Sequence, residues 1–590
     1  MINDSCDNIS YSFFNWCNAP VFYSLPFFVM FFFSATQLKA SRMMLFLILS
    51  TVLLSYSSGF ELCAGLPHNS NDILEKNFWE ISDPQSTSYL KHLSREQIKD
   101  MIKASELDLH QIQTWFTSIG ATSTTIGYLG DTVTAVFPPT TTFDNGKNIP
   151  THLFDLDFLL RRDPIKKSPQ DNLIRSTQPF DSTYSPSAQK QAYGIPADLA
   201  ASANSTTLQM VWGPGTFGYS LSDLTRLKNS DVPLLNLSRV NYDTANHGQQ
   251  GGDNFGEGNL DTQMITSFGL NIHTLISNTN TSASTEEGNG FGQALLDFVT
   301  ELSGRKTVPH VLSLSLGSLG ATSCNMLCDE AVKKGISKSD CNSYLQNQRQ
   351  VCMFLSTKQV NRISNGFKIL GARGVSIFGS SGDGGSHFSF QEFEGGNIAN
   401  VLNEVSCEFT FPVFPTTSPY VISVGGTDWS GFFNPNSAKP KAWSGSGGGF
   451  SWQFPQPAHQ MNTVSNYVKM YSNQSVYPAS TAYNMSGRAY PDISAVAVDG
   501  TSQSSPTTAG IWSLLMDHRL NAGLPPLGFL GPRLYQVNEK YPNEAYESVQ
   551  SGNTKTSCDN GFPSSSSGWD PVTGWGRPVW AGMIKHFGSD

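Results

Sequence analysis

The amino-acid sequence predicts an α/β fold in which a doubly wound, mostly parallel sheet follows a smaller α+β domain. Helical patterns at 291–302 and 360–370 alternate with short apolar runs. Strands that alternate with helices in this way form parallel sheets, whose ligands sit beyond the carboxyl ends of the strands. The apolar runs, which are typical of strands buried on both faces, lie at 308–317, 374–379, 420–425 and 492–498.

The composition describes a large, weakly charged and acidic chain. Its 590 residues are enough for a large core and an accessory domain. Only 14% of them are charged, against roughly 25% in an ordinary soluble domain. The net charge of -10 argues against nucleic acid as a partner. Few charges also leave few ion pairs for acid to break, which is compatible with work at low pH.

Residues 1–64 are predicted to be a targeting region. An apolar run at 43–54 has the length of a signal peptide and follows basic residues. It is too short to cross a membrane comfortably, so we expect no stable membrane span in the mature chain. An aromatic-rich patch at 26–33 lies upstream. Either translation begins at Met43 or Met44, which we favour, or the first segment helps to anchor the chain.

The small α+β domain is predicted at residues 65–165. A helical pattern at 94–104 opens with a capping-box sequence, and a second pattern follows at 107–119. The run at 132–137 alternates as a strand does. These elements are enough for a separate folding unit ahead of the large domain.

A linker is predicted at 166–186, where the sequence is rich in Ser, Thr, Gln and Pro. Dibasic pairs stand at 161–162 and 166–167, where a precursor could be cut. A targeting region, a small domain and a cleavable linker ahead of a large domain at 187–590 indicate a zymogen, with 65–165 as its pro-domain. The alternative is an accessory domain on a tether.

The nine cysteines divide into two groups. Cys6, Cys17 and Cys63 lie in the region that we expect to be removed. The other six lack the spacing of a zinc site, and in a secreted chain an even set indicates disulfides. Four of the six crowd one insertion and should pair among themselves in one of three ways, which leaves Cys407 with Cys558. The four are Cys324, Cys328, Cys341 and Cys352.

Acceptor tripeptides for N-glycosylation fit the same secretory route. They begin at Asn204, Asn236, Asn280, Asn473 and Asn484.

The turn at 500–506 is the first candidate for chemistry. It joins the apolar run at 493–498 to a helical pattern at 507–520, so a side chain between them is carried to a helix N-terminus. Backbone N–H groups there can hold a developing oxyanion, and Ser502 would stand beside them as in a nucleophile elbow. Pro506 suits the first helical turn. The alternative is that Ser and Thr only cap the helix.

Three acidic residues are the other candidates. Glu257 and Asp261 stand four apart at the start of a helical pattern, so their carboxylates share one face and repel each other. Asp383 follows a predicted strand among glycines that let a carboxyl approach a ligand. Taken alone, the pair could instead be an acidic first turn that interacts with the helix dipole, and Asp383 could form an Asx-turn.

The order of these motifs resembles that of the sedolisins, the serine-carboxyl peptidases, and especially the lysosomal-type tripeptidyl peptidases. The likeness covers most of the chain, and many segments in one order are far more specific than any one of them. The further matching segments are at 89–94, 193–196, 414–421, 424–427, 446–451, 486–492, 526–530 and 568–576.

The resemblance implies a subtilisin-like fold and an acid-acting serine-type peptidase, made as a zymogen. It would remove tripeptides from the N-terminus of its substrates or, as the alternative, cut them internally as a serine-carboxyl endopeptidase. By position it makes Ser502 the nucleophile, Glu257 its general base and Asp261 the residue that orients Glu257. Asp383 would donate to the oxyanion, and a carboxyl can donate only when protonated, so the site should work at acidic pH. The implied partners are peptide or protein substrates and the chain's own pro-domain. The implied location is extracellular, or a lysosomal or acidic vacuolar compartment.

Two further sites follow from the resemblance. One is the strand on which the substrate backbone is laid as an added β-strand, matched here by Ser315, Leu316 and Gly317. The other is a site for one structural Ca²⁺, whose ligands would be Asp570, Ser548, Val549, Ser566 and Gly568. Ser548 stands where the family has an aspartate, so calcium should bind weakly unless the neighbouring Glu547 swings in.

The sequence departs from the sedolisin pattern just ahead of Ser502. The family usually carries a strand pair there, whereas only Val498 and Asp499 separate the apolar run from Gly500. One alternative is therefore a catalytically impaired relative that keeps the fold for binding. Another is a subtilisin-like enzyme with His247 as its base, which the residues around His247 do not support.

Overall fold

The computed structural model describes most of the chain from Gly59 onward. The predicted signal run, most of the linker and His247 lie outside the described residues. Within them, no helix is both long and apolar enough to span a membrane. The described residues are 59–141, 155–162, 185–215, 217–243, 256–279, 290–348, 351–390, 397–428 and 440–590.

The strands and helices are numbered along the described chain. The strands are β1 Phe60–Gly65, β2 Ser123–Ile126, β3 Thr132–Phe137, β4 Phe158–Arg162, β5 Leu208–Pro214, β6 Val240–Tyr242, β7 His273–Thr279, β8 Val311–Leu314, β9 Ser318–Leu319, β10 Ser376–Ser380, β11 Val413–Phe414, β12 Ile422–Thr427, β13 Gly449–Pro455, β14 Gly487–Tyr490, β15 Ile493–Val496, β16 Tyr546–Glu547 and β17 Arg577–Pro578. The helices are α1 Asn71–Ser82, α2 Arg95–Ile102, α3 Glu106–Ser118, α4 Pro186–Ala192, α5 Leu221–Ser230, α6 Gly256–Phe268, α7 Gly290–Gly304, α8 Ala321–Lys333, α9 Lys338–Asn347, α10 Thr357–Ala372, α11 Ile398–Glu408, α12 Ala458–Tyr471, α13 Thr501–Asn521, α14 Gly531–Lys540 and α15 Trp580–Phe587.

A seven-stranded parallel sheet forms the centre of the large domain, in the order β15-β12-β10-β8-β5-β7-β6. The strands β8, β10, β12 and β15 are buried along their whole length. Helices α6 and α13 pack against each other, as do α7 and α10. The predicted doubly wound, subtilisin-like α/β fold is confirmed.

The strands are shorter than the apolar runs that predicted them, and the difference positions the site. The run at 308–317 contains only the four residues of β8. The three residues Ser315, Leu316 and Gly317 leave the sheet at its carboxyl end, where ligands of parallel sheets bind. In the same way β15 stops at Val496, two residues before its apolar run ends.

The core of the large domain is built from aromatic and aliphatic side chains between the sheet and its helices. Trp212 of β5 is 1% exposed and stacks on Phe298 of α7 with ring centroids 4.9 Å apart. Its indole nitrogen donates to Thr279 Oγ1 at 2.9 Å, so no polar atom of this large side chain is left unpaired. Burying such a ring stabilises the fold by roughly 1.5–3 kcal/mol.

The small domain is a four-stranded antiparallel sheet, in the order β2-β3-β1-β4, covered by helices. The capping box of α2 is confirmed, since Ser94 Oγ accepts from Gln97 N and Gln97 Oε1 accepts from Ser94 N. The boundary predicted between residues 64 and 65 falls inside β1, which pairs with both β3 and β4. Cys63, which we had placed in the removed region, is a buried free cysteine of that strand. Where the chain is cleaved stays a prediction.

Buried ion pairs dock the small domain on the large one. The Arg362 guanidinium of α10 is 4% exposed and bonds to Asp131 and, at 3.1 Å, to Asp157. Arg162 Nε donates to the two carboxylate oxygens of Asp297 at 2.9 and 3.1 Å. The dibasic pair at 161–162, where we expected that a precursor could be cut, therefore lies in β4, with Arg162 engaged in the interface and Arg161 exposed.

Three disulfides are present in the described part of the chain, and the predicted grouping is confirmed. The first four cysteines pair among themselves, and the last two pair across 151 residues of sequence. The bonds are Cys324–Cys352, Cys328–Cys341 and Cys407–Cys558.

Candidate active site

Helix α13 begins at Thr501, earlier than the pattern starting at residue 507 predicted. Ser502 is consequently the second residue of the helix, and Pro506 lies inside it rather than in its first turn. Gly500 precedes the helix with φ 82°, a left-handed conformation that favours glycine. A Cβ at Gly500 would lie 2.6 Å from Asp383 Oδ2, so only glycine lets this carboxyl approach the turn.

The acidic pair lies on α6, in the first two turns of the predicted helix. Helices α6 and α13 approach closely at Gly510, where a Cβ would meet Ile265 O at 2.8 Å and Phe268 Cβ at 2.7 Å. This close packing places the N-terminal turn of α13 beside the acidic face of α6. Side chains of both helices therefore reach one cleft.

Ser502 and Glu257 meet in that cleft. The Ser502 and Glu257 side chains line it together, and the Ser502 hydroxyl donates to Ser315 O at 3.4 Å. Burial raises the pKa of Glu257 to about 7; the interaction with Ser502 lowers it, and the charge of Asp383 raises it further. Glu257 Oε1 is buried without a hydrogen-bond partner among the described residues. A serine hydroxyl beside a buried carboxyl has the arrangement of a nucleophile and its base.

Asp261 is fully buried behind Glu257. Burial and the Glu257 charge raise the pKa of Asp261 well above its usual value, although the hydrogen bond from Ser315 opposes this. Ser315 Oγ donates to Asp261 Oδ1 at 2.8 Å. Asp261 Oδ2 has no hydrogen-bond partner among the described residues. A proton held between the two carboxyls would satisfy the free oxygen of each.

Asp383 faces Ser502 from the loop that follows β10. Its Oδ1 accepts from the Thr501 backbone N–H at 2.8 Å and from the Thr501 hydroxyl at 2.7 Å. The same Thr501 hydroxyl oxygen accepts from Gly382 N at 3.1 Å. Thr501 thus ties the Asp383 loop to the first turn of α13.

The predicted substrate segment lies along the same cleft. Ser315 O accepts from Ser380 Oγ at 2.6 Å, and Ser315 Oγ also lies 3.3 Å from Ser502 O. Leu316 and Gly317 line the opening beside it. The cleft has a volume of about 440 Å³, and the structure brings Ser502, Glu257, Asp383 and this segment together in it.

Several residues of the cleft have no signal in the sequence. Phe388, Phe411, Val413 and Tyr490 supply an apolar wall. His387 lies at the same wall, and its two ring nitrogens are each 2.7 Å from a backbone carbonyl oxygen. Apart from Tyr490, which lies in the matching segment at 486–492, these residues come from separate segments that no local motif marks.

The expected calcium ligands form a different kind of site. Asp570 Oδ1 accepts from the backbone N–H groups of Val572 and Thr573 at 3.0 and 2.8 Å, and Oδ2 accepts from Ser565 N at 2.8 Å. Burial raises the pKa of Asp570 to about 7 although these donors lower it. The carboxyl is therefore already surrounded by donors rather than by the oxygen atoms that calcium needs.

The part of the expected calcium site around Ser548 also lacks a carboxylate that is free to bind the ion. Ser548 Oγ lies 3.4 Å from Gly568 O and accepts from Gly568 N at 3.2 Å. Glu547 bonds to Arg577 at 2.8 Å and so is not free to swing in. Within the described residues there is no group of three His, Cys, Asp or Glu that could hold a metal. The residues present do not fit a calcium cage, and the ion stays an untested expectation.

Comparison with known proteins supports the resemblance that the motifs indicated. Residues 55–140 match the family model described as Pro-kumamolisin, activation domain. Tripeptidyl-peptidase 1 of Rattus norvegicus is 28% identical over 571 residues, which covers 89% of this chain and 91% of that protein. Tripeptidyl-peptidase 1 of Homo sapiens is 28% identical over 561 residues, covering 86% and 87%. This chain is similar to the sedolisins, through the match of its activation domain and through relatives that align over most of its length. The sedolisin resemblance expected from the motifs is thus confirmed.

Among solved structures, Pseudomonas sedolisin, a serine-carboxyl proteinase, aligns with this chain at a TM-score of 0.46. The two are 22% identical, and the alignment covers 68% of this chain and 98% of that one. The roles assigned to Ser502, Glu257, Asp261 and Asp383 stay predictions that rest on the geometry above.

Proposed function

We propose that this protein is an acid-acting serine-carboxyl peptidase, made as a zymogen, that removes tripeptides from the N-termini of peptides. The observation that carries the proposal is the meeting of Ser502 with the buried Glu257 carboxyl, opposite the Asp383 carboxyl held by Thr501. A hydroxyl, a buried base and a carboxyl donor around one cleft are the parts that acyl transfer requires.

The acylation step uses Ser502 and Glu257. The Glu257 carboxylate takes the proton from Ser502 Oγ while that oxygen bonds to the carbonyl carbon of the scissile peptide. The protonated Glu257 then gives this proton to the leaving amine as the C–N bond breaks, which leaves an acyl-enzyme. Water deacylates it by the same sequence, with Glu257 again acting first as base and then as acid.

Asp383 stabilises the oxyanion that forms during both steps. A protonated carboxyl can donate a hydrogen bond to that oxygen, whereas an ionised one can only accept. The contacts with Thr501 are compatible with this role, because Thr501 donates only to Asp383 Oδ1 and leaves Oδ2 available to carry the proton. Acidic pH is therefore needed to protonate Asp383, so that its carboxyl can donate to the oxyanion.

Acidic pH must still leave Glu257 ionised, because only its carboxylate form can act as the base. The charge of Asp383 is one cause of the raised pKa of Glu257, so protonating Asp383 removes that contribution. A proton kept on Asp261 can be donated to Glu257 and favours its carboxylate form. The active form thus carries protons on Asp261 and Asp383 and a charge on Glu257, which predicts an acidic optimum with activity falling on both sides.

Exopeptidase action and location rest on other observations. Two relatives of near full length are named tripeptidyl-peptidase 1, which favours release of tripeptides. Three disulfides favour an oxidising, secretory route to an acidic or extracellular compartment. Asn204 and Asn473, two of the glycosylation acceptors, are exposed as glycosylation requires.

The zymogen proposal rests on the docked small domain. Its contacts with the large domain include buried ion pairs, which acid can weaken. Its match to an activation domain supports the same role.

The test compares two versions of one peptide, with a free and with an acetylated N-terminus, at pH 4 and pH 7 after acid treatment of the precursor. We expect tripeptide release from the free peptide at pH 4 only. Ser502→Ala should abolish it, while Ser513→Ala, which removes a buried hydroxyl elsewhere on α13, should not. Internal cleavage of both peptides would make the protein an endopeptidase. No cleavage at any pH would favour the catalytically impaired relative.

A further inference from the structure

The turn that delivers Ser502 is held by the side chain that follows the serine. Only four residues separate the end of β15 from the start of α13. Within this turn the backbone N–H groups of Val498 and Asp499 both point at one atom, Gln503 Oε1, at 2.9 and 3.1 Å. Gln503 is 2% exposed.

The other end of the same amide reaches α6. Gln503 Nε2 donates to Met264 Sδ at 3.8 Å. Met264 lies on the helix that carries Glu257 and Asp261. One buried side chain therefore connects the turn before the nucleophile to the helix that bears its base.

Filling space in the core would not by itself account for these contacts of Gln503. Two successive backbone N–H groups converge on one acceptor only when the turn is closed around it. Without that acceptor both donors would have to find water or stay unpaired. The remaining contacts hold only the ends of the turn, at Ala497, which donates to Thr427 O at 3.1 Å, and at Gly500, which accepts from Gln503 N at 3.1 Å.

We propose that Gln503 is a positioning residue that closes the Val498–Gly500 turn and thereby sets the place of Ser502 against Glu257. This inference rests on the proposed peptidase function. Its consequence follows from catalytic geometry, since a displacement of about 1 Å can lower a rate on the order of 10²-fold. The closed turn takes the place of the longer connection that the sedolisin pattern predicts.

The experiment uses the full chain with two substitutions. Gln503→Met keeps the length of the side chain and removes the acceptor, whereas Gln503→Glu keeps an acceptor oxygen. We expect Gln503→Met to lower kcat about 10²-fold with KM nearly unchanged, and Gln503→Glu to keep most of the turnover. Gln209→Met is the matched control, because it removes another buried glutamine that bonds to the far end of α6, at Ile265 O and Gly269 O. It should lower Tm and leave kcat unchanged.

Amide hydrogen exchange in the turn gives a readout that does not need catalysis. Exchange at Val498 and Asp499 should speed up in Gln503→Met and stay slow in Gln503→Glu and Gln209→Met. If Gln503→Met leaves both exchange and kcat as in the wild type, the inference is wrong. Faster exchange with unchanged kcat would overturn the positioning role. If exchange is faster in Gln503→Met but the wild-type protein cuts no peptide, the closure of the turn by Gln503 is supported and the peptidase function is rejected. If Gln503→Met fails to fold, Gln503→Glu alone decides. The inference is wrong if Gln503→Glu, which keeps the acceptor oxygen, loses turnover and exchanges quickly at Val498 and Asp499.

Discussion

Thr501 binds Asp383 twice, through its backbone N–H at 2.8 Å and its hydroxyl at 2.7 Å. Both bonds go to Oδ1, so they fix the carboxyl without using a proton of its own. Because Thr501 is also the first residue of α13, the proposed oxyanion donor Asp383 and the proposed nucleophile Ser502 are placed by the same residue. Each prediction below tests a part of this arrangement.

Asp383→Asn should widen the pH range of activity toward neutral pH. The amide keeps an oxygen for Thr501 and donates at every pH, whereas the carboxyl donates only when protonated. Asp383→Ala should lower turnover by roughly 10²–10³-fold, the usual effect of losing one oxyanion donor. The measurement is kcat/KM from pH 3 to 8 for both variants. An unchanged pH profile in the asparagine variant would contradict the role of the proton.

Glu257 and Ser502 should behave as one unit. Glu257→Ala and Ser502→Ala should each lower kcat about as much as the double substitution, because removing either group stops the same proton transfer. Single-turnover rates at pH 4 measure this directly. A Glu257→Ala variant that keeps near-full turnover would remove Glu257 from the mechanism.

The folded protein should lose stability as the pH rises from about 4.5 to 7. Burial raises the pKa of Glu301 from 4.5 to about 7, although Arg305 lowers it. A group with a raised folded pKa stabilises the fold below its unfolded pKa, and that contribution disappears as the pH passes through the folded pKa. For Glu301 the loss is at most about 3 kcal/mol.

Thermal unfolding of a Ser502→Ala background, which prevents self-digestion, measures this loss. In that background Glu301→Gln should match its parent at pH 4 and exceed it in Tm at pH 7. The exposed Glu404→Gln is the control and should show no such difference. A Glu301→Gln variant that is equally destabilised at both pH values would contradict the prediction.

Acidification should release the pro-domain and start maturation by the protein's own activity. Burial and the Arg362 charge lower the pKa of His68, which therefore resists protonation when docked. Below its ordinary pKa of 6.5 the undocked histidine takes up a proton, so docking weakens as the pH falls. Burial alone would raise the pKa of Asp131, but Arg362 lowers it, so this contact is lost only at lower pH.

Mass spectrometry after a shift from pH 7 to pH 4 tests maturation, with Ser502→Ala as the control. Since Arg162 is engaged in the interface, we expect the cuts between Arg162 and Pro186. Arg362→Met removes the ion pairs with Asp131 and Asp157 and should convert at a higher pH. Equal conversion of the wild type and Ser502→Ala would mean that another protease is responsible.

Chelation should leave Tm almost unchanged, because Asp570 is already bonded to backbone donors and Glu547 to Arg577. Ser548→Asp restores the charge that the family pattern carries and should make Tm rise with added calcium. A wild-type Tm that falls on chelation, together with bound calcium in native mass spectrometry, would establish the site that the contacts argue against.

Local patterns were sufficient for much of the fold. Apolar runs located the four strands β8, β10, β12 and β15, because strands buried on both faces need such runs whatever surrounds them. The four-residue spacing placed Glu257 and Asp261 on one helix face for the same local reason. The capping box at Ser94 and the grouping of the cysteines also depended on neighbours in sequence.

Other features depended on neighbours in space. The start of α13 was misplaced because Thr501 is held as a helical residue by Asp383, which lies 118 residues away in the sequence. Arg162 was taken for part of an exposed site because its partner Asp297 comes from a different domain. Burial of Asp570 among backbone donors could not be inferred from its motif.

The sequence by itself determined the α/β class, the order of the strands along the chain, and the residue types able to do acyl transfer at acidic pH. Only the tertiary structure decided that Ser502, Glu257 and Asp383 share one cleft and that Gln503 closes the turn before the serine. The physical reason is that strand and helix patterns arise from contacts a few residues apart. A site at the carboxyl edge of a parallel sheet is assembled from segments hundreds of residues apart, whose approach depends on how the helices pack.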